Sequence, residues 1–170
     1  YKFWMDQAIV ANFWVGIDTS FVYPIVALAP MLISYAFGPD LYASTWLSMV
    51  LMLNAVAFAF LTEWGRARRR SIAAWWWIAF LGLLGPIALG RIDSVTIAMA
   101  MVGVLLIASA PRAAVIVLTL ATWIKVWPAA LLVAAVIAVR RRGAIIGGAL
   151  IVSGATVLTV IIMGGGAHVF

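Results

Sequence analysis

None of the chain's 170 residues is cysteine. It therefore has no disulfide framework, no thiolate metal site and no cysteine nucleophile. One histidine, His168, cannot build a zinc site alone. Acidic residues number five, and all charged residues together make up 9% of the chain. A soluble domain carries roughly one quarter charged residues, so this composition argues against that class. Disorder requires low hydrophobicity, and 67% of these residues are hydrophobic.

Long charge-free runs are what the sequence does contain. Asp40 and Glu63 are separated by 22 uncharged residues, Arg70 and Arg91 by 20, and Asp93 and Arg112 by 18. Residues 143–170 carry no formal charge. Runs of that length match a bilayer's hydrocarbon thickness when helical, so the expected fold is an all-α, polytopic transmembrane bundle. The net charge of +6 does not indicate nucleic acid. Seven of the eleven basic residues form two groups, Arg66/Arg68/Arg69/Arg70 and Arg140–Arg142, each flanking an apolar run. That is the pattern of cytoplasmic loops, and it predicts a multi-pass protein of the plasma membrane.

The basic clusters orient the spans. Residues 41–62 are expected to run inward, 71–89 outward and 94–110 inward, with Gly90-Arg91-Ile92-Asp93 as an outer turn. Residues 113–139 lie between Arg112 and the Arg140–Arg142 cluster, and both flanks belong inside. Lys125 divides this stretch into apolar runs of 12 and 14 residues, too short for two ordinary spans, and Pro128 weakens helix continuity. A hairpin of two short helices, 113–124 and 126–139, reconciles both flanks; one tilted helix of 27 residues is the alternative. Residues 143–163 then cross outward, and Gly164-Gly165-Gly166 opens an outer loop. Residues 1–40 mix Lys2, Asp6 and Asp18 with aromatics, Pro24 and Pro30, and read as an outer juxtamembrane element. The 1–170 unit reads as a single transmembrane domain, an internal piece of a longer protein without a signal peptide.

Most charges anchor topology. Asp40 and Glu63 sit at span ends, and Gly143 and Gly147 form a GxxxG step that suits close helix packing. Arg91, Asp93 and Lys125 need another account. Lys125 stands mid-run between Trp123 and Trp127 with no acidic neighbour in sequence, and an intramembrane lysine defaults to a functional role. In the hairpin arrangement it rises toward Arg91. Two cations converging on a membrane cleft suit a lipid phosphate, with Arg offering a two-pronged grip and Lys a point charge.

These residues resemble a known family. Phe21-Val22-Tyr23-Pro24 followed by Ala27-Leu28-Ala29-Pro30 resembles the Tyr-Pro element after the first outer loop of GT-C glycosyltransferases. The nearest branch is the actinobacterial one related to polyprenyl-phosphate-mannose-dependent mannosyltransferases. Gly90-Arg91-Ile92-Asp93 is similar to that family's short outer motif. Ala121-Thr122-Trp123-Ile124-Lys125-Val126-Trp127-Pro128 is similar to its Ala-x-x-x-Lys-x-x-Pro signature. The resemblance covers most of the chain, and order and spacing carry it more than any single motif.

The resemblance implies transfer of a sugar, by family mannose, from a polyprenyl phosphate to a glycan or glycolipid acceptor at the outer face, with inversion. It implies Arg91 and Lys125 as donor-phosphate ligands, with Asp93, Tyr23 and Trp127 in support. Asp93 has three open roles: orienting Arg91, assisting a divalent metal, or contacting the acceptor. No metal ligand set and no cofactor is assigned. The family's general base, an aspartate a few residues before a tyrosine such as Tyr1, is expected upstream of this piece, which would then be inactive alone; Asp6 and Asp18 are not in the matching place. Two other readings stand beside this one. A transporter or lipid flippase also uses broken helices and buried cations, and a non-catalytic assembly subunit would use Gly143 and Gly147 for packing.

Overall fold

The computed structural model describes residues 1–140 and 142–164. Arg141 of the second basic cluster, the loop glycines Gly165 and Gly166, and His168 lie outside the described residues. Among the described residues the regular elements are helical: α1 (Lys2–Val10), a 3-10 turn (Ile25–Ala27), α2 (Leu28–Tyr35), α3 (Tyr42–Leu61), α4 (Arg68–Leu84), α5 (Pro86–Gly90), α6 (Asp93–Leu106), α7 (Pro111–Ile124), α8 (Ala129–Ala138) and α9 (Arg142–Ile162).

Local sequence explains where these helices begin and end. Residues 42–61 contain no glycine, proline or charge, so α3 runs unbroken for 20 residues. α9 runs for 21, and these two helices are long and apolar enough to cross a membrane. The stretch 71–89 differs from the single span expected. α4 stops at Gly85, and α5 starts at Pro86, which lacks the N–H a continuing helix would use. Gly85 sits at φ 58°, ψ −141°, a region essentially reserved for glycine, where another residue costs about 1–3 kcal/mol. α6 ends at Leu106, short of residue 110, and α7 opens on Pro111, a favoured first helical position. Lys125 is extended (φ −154°, ψ 138°): Pro128 has no N–H for the Ile124 carbonyl and its ring would clash with it, so α7 cannot continue; α8 begins directly after that proline.

Side-chain contacts fix the relative directions. α6 and α7 pack antiparallel, with Gly103 against the buried Leu118 near mid-helix and Asp93 against Lys125 at one end. A Cβ at Gly103 would lie 2.6 Å from Leu118 Cγ, so glycine permits this approach. α7 runs alongside α9 in the same direction: Val115 meets Gly148, and the Trp123 indole N–H donates to Ser153 Oγ at 3.0 Å. The close-packing glycine of α9 is thus Gly148, not the Gly143/Gly147 pair, around which a Cβ would meet nothing. The GxxxG spacing was a guide to composition, not to which face meets α7.

Two apolar cores form at opposite ends. Val115, Ala135 and Ile145 close the end where Arg112 and Arg142 lie. The larger core joins Met31, Trp46, Ile92, Ile124 and Val160. The N-terminal 35 residues cap this second end. Tyr35 donates its hydroxyl to Asp6 at 2.8 Å, and Lys2 pairs with Asp6 at 2.9 Å, clasping α1 onto α2. The Lys2 ammonium and then the Tyr35 hydroxyl hold the Asp6 carboxyl below its ordinary value. Ile72, Trp75, Trp76 and Leu83 of α4 and Leu150 and Ile151 of α9 stay exposed, as helices do when lipid rather than protein is their neighbour.

Candidate active site

The site grows from the capped end of the bundle. α5 ends at Gly90, Arg91 is extended, and Asp93 is the first residue of α6. This places a guanidinium and a carboxylate on a very short connection between two apolar helices. Lys125, freed from α7 by the Pro128 break, reaches the same point. Its Nζ donates to both Asp93 oxygens, at 2.7 and 2.6 Å. Arg91 Nε lies 3.5 Å from Asp93 Oδ2. Lys125 and Asp93 side chains are each 28% exposed, while Arg91 is 66% exposed. One carboxylate therefore gathers two cations at the lip of a bundle, with Lys125 inward and Arg91 toward solvent.

A cleft of about 320 Å³ opens beside this cluster. Its floor holds Arg91, Asp93, Ser94 and Lys125, and its walls are Trp77, Phe80, Leu81 and Leu84 of α4 with Ile87 of α5. The Ser94 hydroxyl and the Trp77 indole N–H are buried without a partner among the described residues. An apolar trough ending in two cations and one carboxylate can receive an anionic headgroup on a hydrocarbon chain. A second apolar hollow of about 500 Å³ lies on the other side of Trp77 and Leu81, against α3.

The Leu89–Ile92 segment is held from behind. Trp46 Nε1 donates to the Leu89 carbonyl at 2.9 Å, and the Ile92 N–H donates to Tyr1 Oη at 2.9 Å. The Tyr1 and Trp46 rings are 4.9 Å apart, and Ile92 is fully buried. Burial pushes the Tyr1 phenol above its ordinary value, so it stays protonated while accepting from Ile92.

Of the residues expected from sequence, Arg91, Asp93 and Lys125 come together. Tyr23 and Trp127 do not line the cleft. Tyr23 packs edge-on against Tyr1, Trp4 and Phe21, one layer behind the turn. Trp127 lies over α6 beside Ile97, Met101 and Leu131, because the break at Lys125 turns successive side chains in different directions. Residues that the sequence reading did not assign to the site are Trp46 behind the turn and Trp77 and Ser94 in the cleft; Tyr1 entered only as the tyrosine that follows the family's aspartate. Ser94 follows Asp93 directly, which was the available signal. Trp46 and Trp77 have none, since aromatics are abundant in this chain. Asp93 is the one carboxylate on the cleft wall, its oxygens are engaged by cations, and no three His, Cys, Asp or Glu converge among the described residues. These residues do not fit a divalent cation.

Two helices long and apolar enough to cross a membrane, beside a cleft lined by Arg91, Asp93 and Lys125, point toward a membrane protein. The comparison with known families narrows this. The family model of Glycosyltransferase family 87 matches residues 21–169, and the chain belongs to that family. No curated protein and no solved structure gave a match. The protein is accordingly a glycosyltransferase, with a sugar donor and an acceptor as its substrates.

Proposed function

We propose that the protein transfers a sugar, mannose by family resemblance, from a polyprenyl-phosphate donor to a glycan or glycolipid acceptor at the outer face of the plasma membrane. The observation that carries this reading is the Arg91–Asp93–Lys125 cluster at the end of an apolar-walled cleft. A nucleotide-sugar donor has no use for a hydrocarbon trough; a lipid phosphate uses both parts. The concentration of arginine at the opposite end of the bundle supports an outward site under the positive-inside rule.

In this mechanism the donor phosphate lies between Arg91 and Lys125 while its chain follows the α4 wall. The acceptor hydroxyl loses its proton to a carboxylate base, and its oxygen bonds to the anomeric carbon from the face opposite the phosphate. The bond from that carbon to the phosphate oxygen breaks, and its electron pair leaves with the lipid phosphate. Charge grows on the phosphate during this step, and fixed cations there stabilise the transition state more than the ground state. By the family resemblance the base is an aspartate just before Tyr1, whose hydroxyl accepts from the Ile92 N–H at 2.9 Å.

Full-length protein carrying Arg91→Ala is expected to raise the donor KM by about tenfold, the weight of one charge-assisted hydrogen bond to an exposed arginine. Assaying lipid-linked sugar transfer in membranes checks this, and an unchanged KM would remove Arg91 from the donor site.

A further inference from the structure

Asp93 is hard to reconcile with a site built only to attract anions. A lipid phosphate would be held more tightly if the carboxylate were absent. Yet both its oxygens accept from Lys125, and Arg91 Nε lies 3.5 Å from one of them, Oδ2. Among the described residues, the cleft lining carries two cations and one carboxylate.

We infer that Asp93 is a specificity-determining residue that tunes the cleft to a singly charged phosphodiester and against a doubly charged phosphomonoester. The inference rests on the donor-phosphate reading above. Before transfer, the donor phosphate is esterified twice, to the lipid and to the sugar, and carries one negative charge. After the sugar–phosphate bond breaks, the lipid keeps a monoester, with about 1.5 to 2 negative charges near neutral pH. By Coulomb's law the two cations favour the more highly charged monoester, and the Asp93 carboxylate opposes that preference by repelling each added negative charge. Asp93 therefore weakens the hold on the spent lipid and speeds its departure, while its two bonds to Lys125 keep that ammonium aimed into the cleft. Without Asp93, the site would favour its own product more strongly.

The size of the effect follows from Coulomb's law. At an effective dielectric near 20, one unit of charge about 5 Å away changes the interaction with each additional ligand charge by roughly two orders of magnitude in affinity, and screening at an exposed lip reduces that to about tenfold. The test measures direct binding of two short-chain probes, citronellyl phosphate and its methyl ester, to purified full-length protein. They differ by one ionisable oxygen. Wild type is expected to show a smaller preference for the monoester than variants neutralised at position 93. Asp93→Asn is expected to shift the ratio toward the monoester by about tenfold or more, and Asp93→Glu to keep the wild-type preference. Asp93→Ser makes the same charge change if the Asn variant does not fold. A Lys125→Met variant reads the site itself. If Lys125→Met weakens both probes but neutralising position 93 leaves their ratio unaltered, the phosphate site stands and the role of Asp93 is overturned. If Lys125→Met leaves both affinities at the wild-type level, the donor-site reading fails, and this inference with it.

Discussion

Replacing Lys125 by methionine is expected to lower sugar transfer by about 10²- to 10³-fold, the usual cost of losing a fixed group that stabilises charge in a transition state. Methionine keeps the volume and the apolar stem, so packing against α7 and α8 is retained. What disappears is the ammonium within 2.7 Å of both Asp93 oxygens. Two consequences follow together: on the proposed donor site the phosphate loses its inner cation, and Asp93 keeps only the weaker contact to Arg91 at 3.5 Å. Because these side chains are 28% exposed, water reaches the orphaned carboxylate and the loss of stability is modest. Lys125→Arg is expected to recover part of the activity, since the charge returns with a different shape. Initial rates with lipid-linked donor, normalised to the amount of folded full-length protein, check the pair. Equal rates for wild type and Lys125→Met would show that the lysine serves only structure.

Trp46→Phe and Tyr1→Phe are the second case. Each substitution keeps an aromatic ring in the buried cluster and deletes one polar atom. Trp46→Phe leaves the Leu89 carbonyl without its donor, and Tyr1→Phe leaves the Ile92 N–H without its acceptor. An unsatisfied buried group costs about 1–3 kcal/mol, which the chain can relieve by letting residues 89–92 shift. That segment carries Arg91 and leads into Asp93. The expected result is a donor KM raised roughly five- to fifty-fold in each variant, and little further in the double variant, since both hold one segment. Kinetics that separate KM from kcat distinguish this from general loosening, which would lower the active fraction and leave KM alone.

Much of this architecture was legible in the chain. Charge-free runs located α3 and α9, and Lys125 with Pro128 located the break between α7 and α8. The break in 71–89 was also written there, as Gly85-Pro86, but the continuity of the apolar run obscured it. Pairing across distance was not legible. Asp93 lies 32 residues from Lys125, and Tyr1 lies 91 residues from Ile92. A search for the partner of Lys125 among sequence neighbours finds none, because the partner arrives through antiparallel packing of α6 on α7. That register depends on Gly103 meeting Leu118, a contact no composition reveals. Tyr23 and Trp127 illustrate the converse. Their motifs mark the site in sequence, while their side chains support or flank it in space.

The claim that this cleft is an outward-facing donor site is tested most directly by thiol accessibility. Ile87 lines the cleft and is 68% exposed; Arg66 is exposed near the basic end. Single cysteines at these positions would be placed in otherwise cysteine-free full-length protein and treated, in intact cells, with a membrane-impermeant thiol reagent. The account predicts labelling at position 87, slowed by a polyprenyl-phosphate sugar analogue, and labelling at position 66 only after permeabilisation. Labelling at 87 only after permeabilisation, or at a rate indifferent to the analogue, would contradict it.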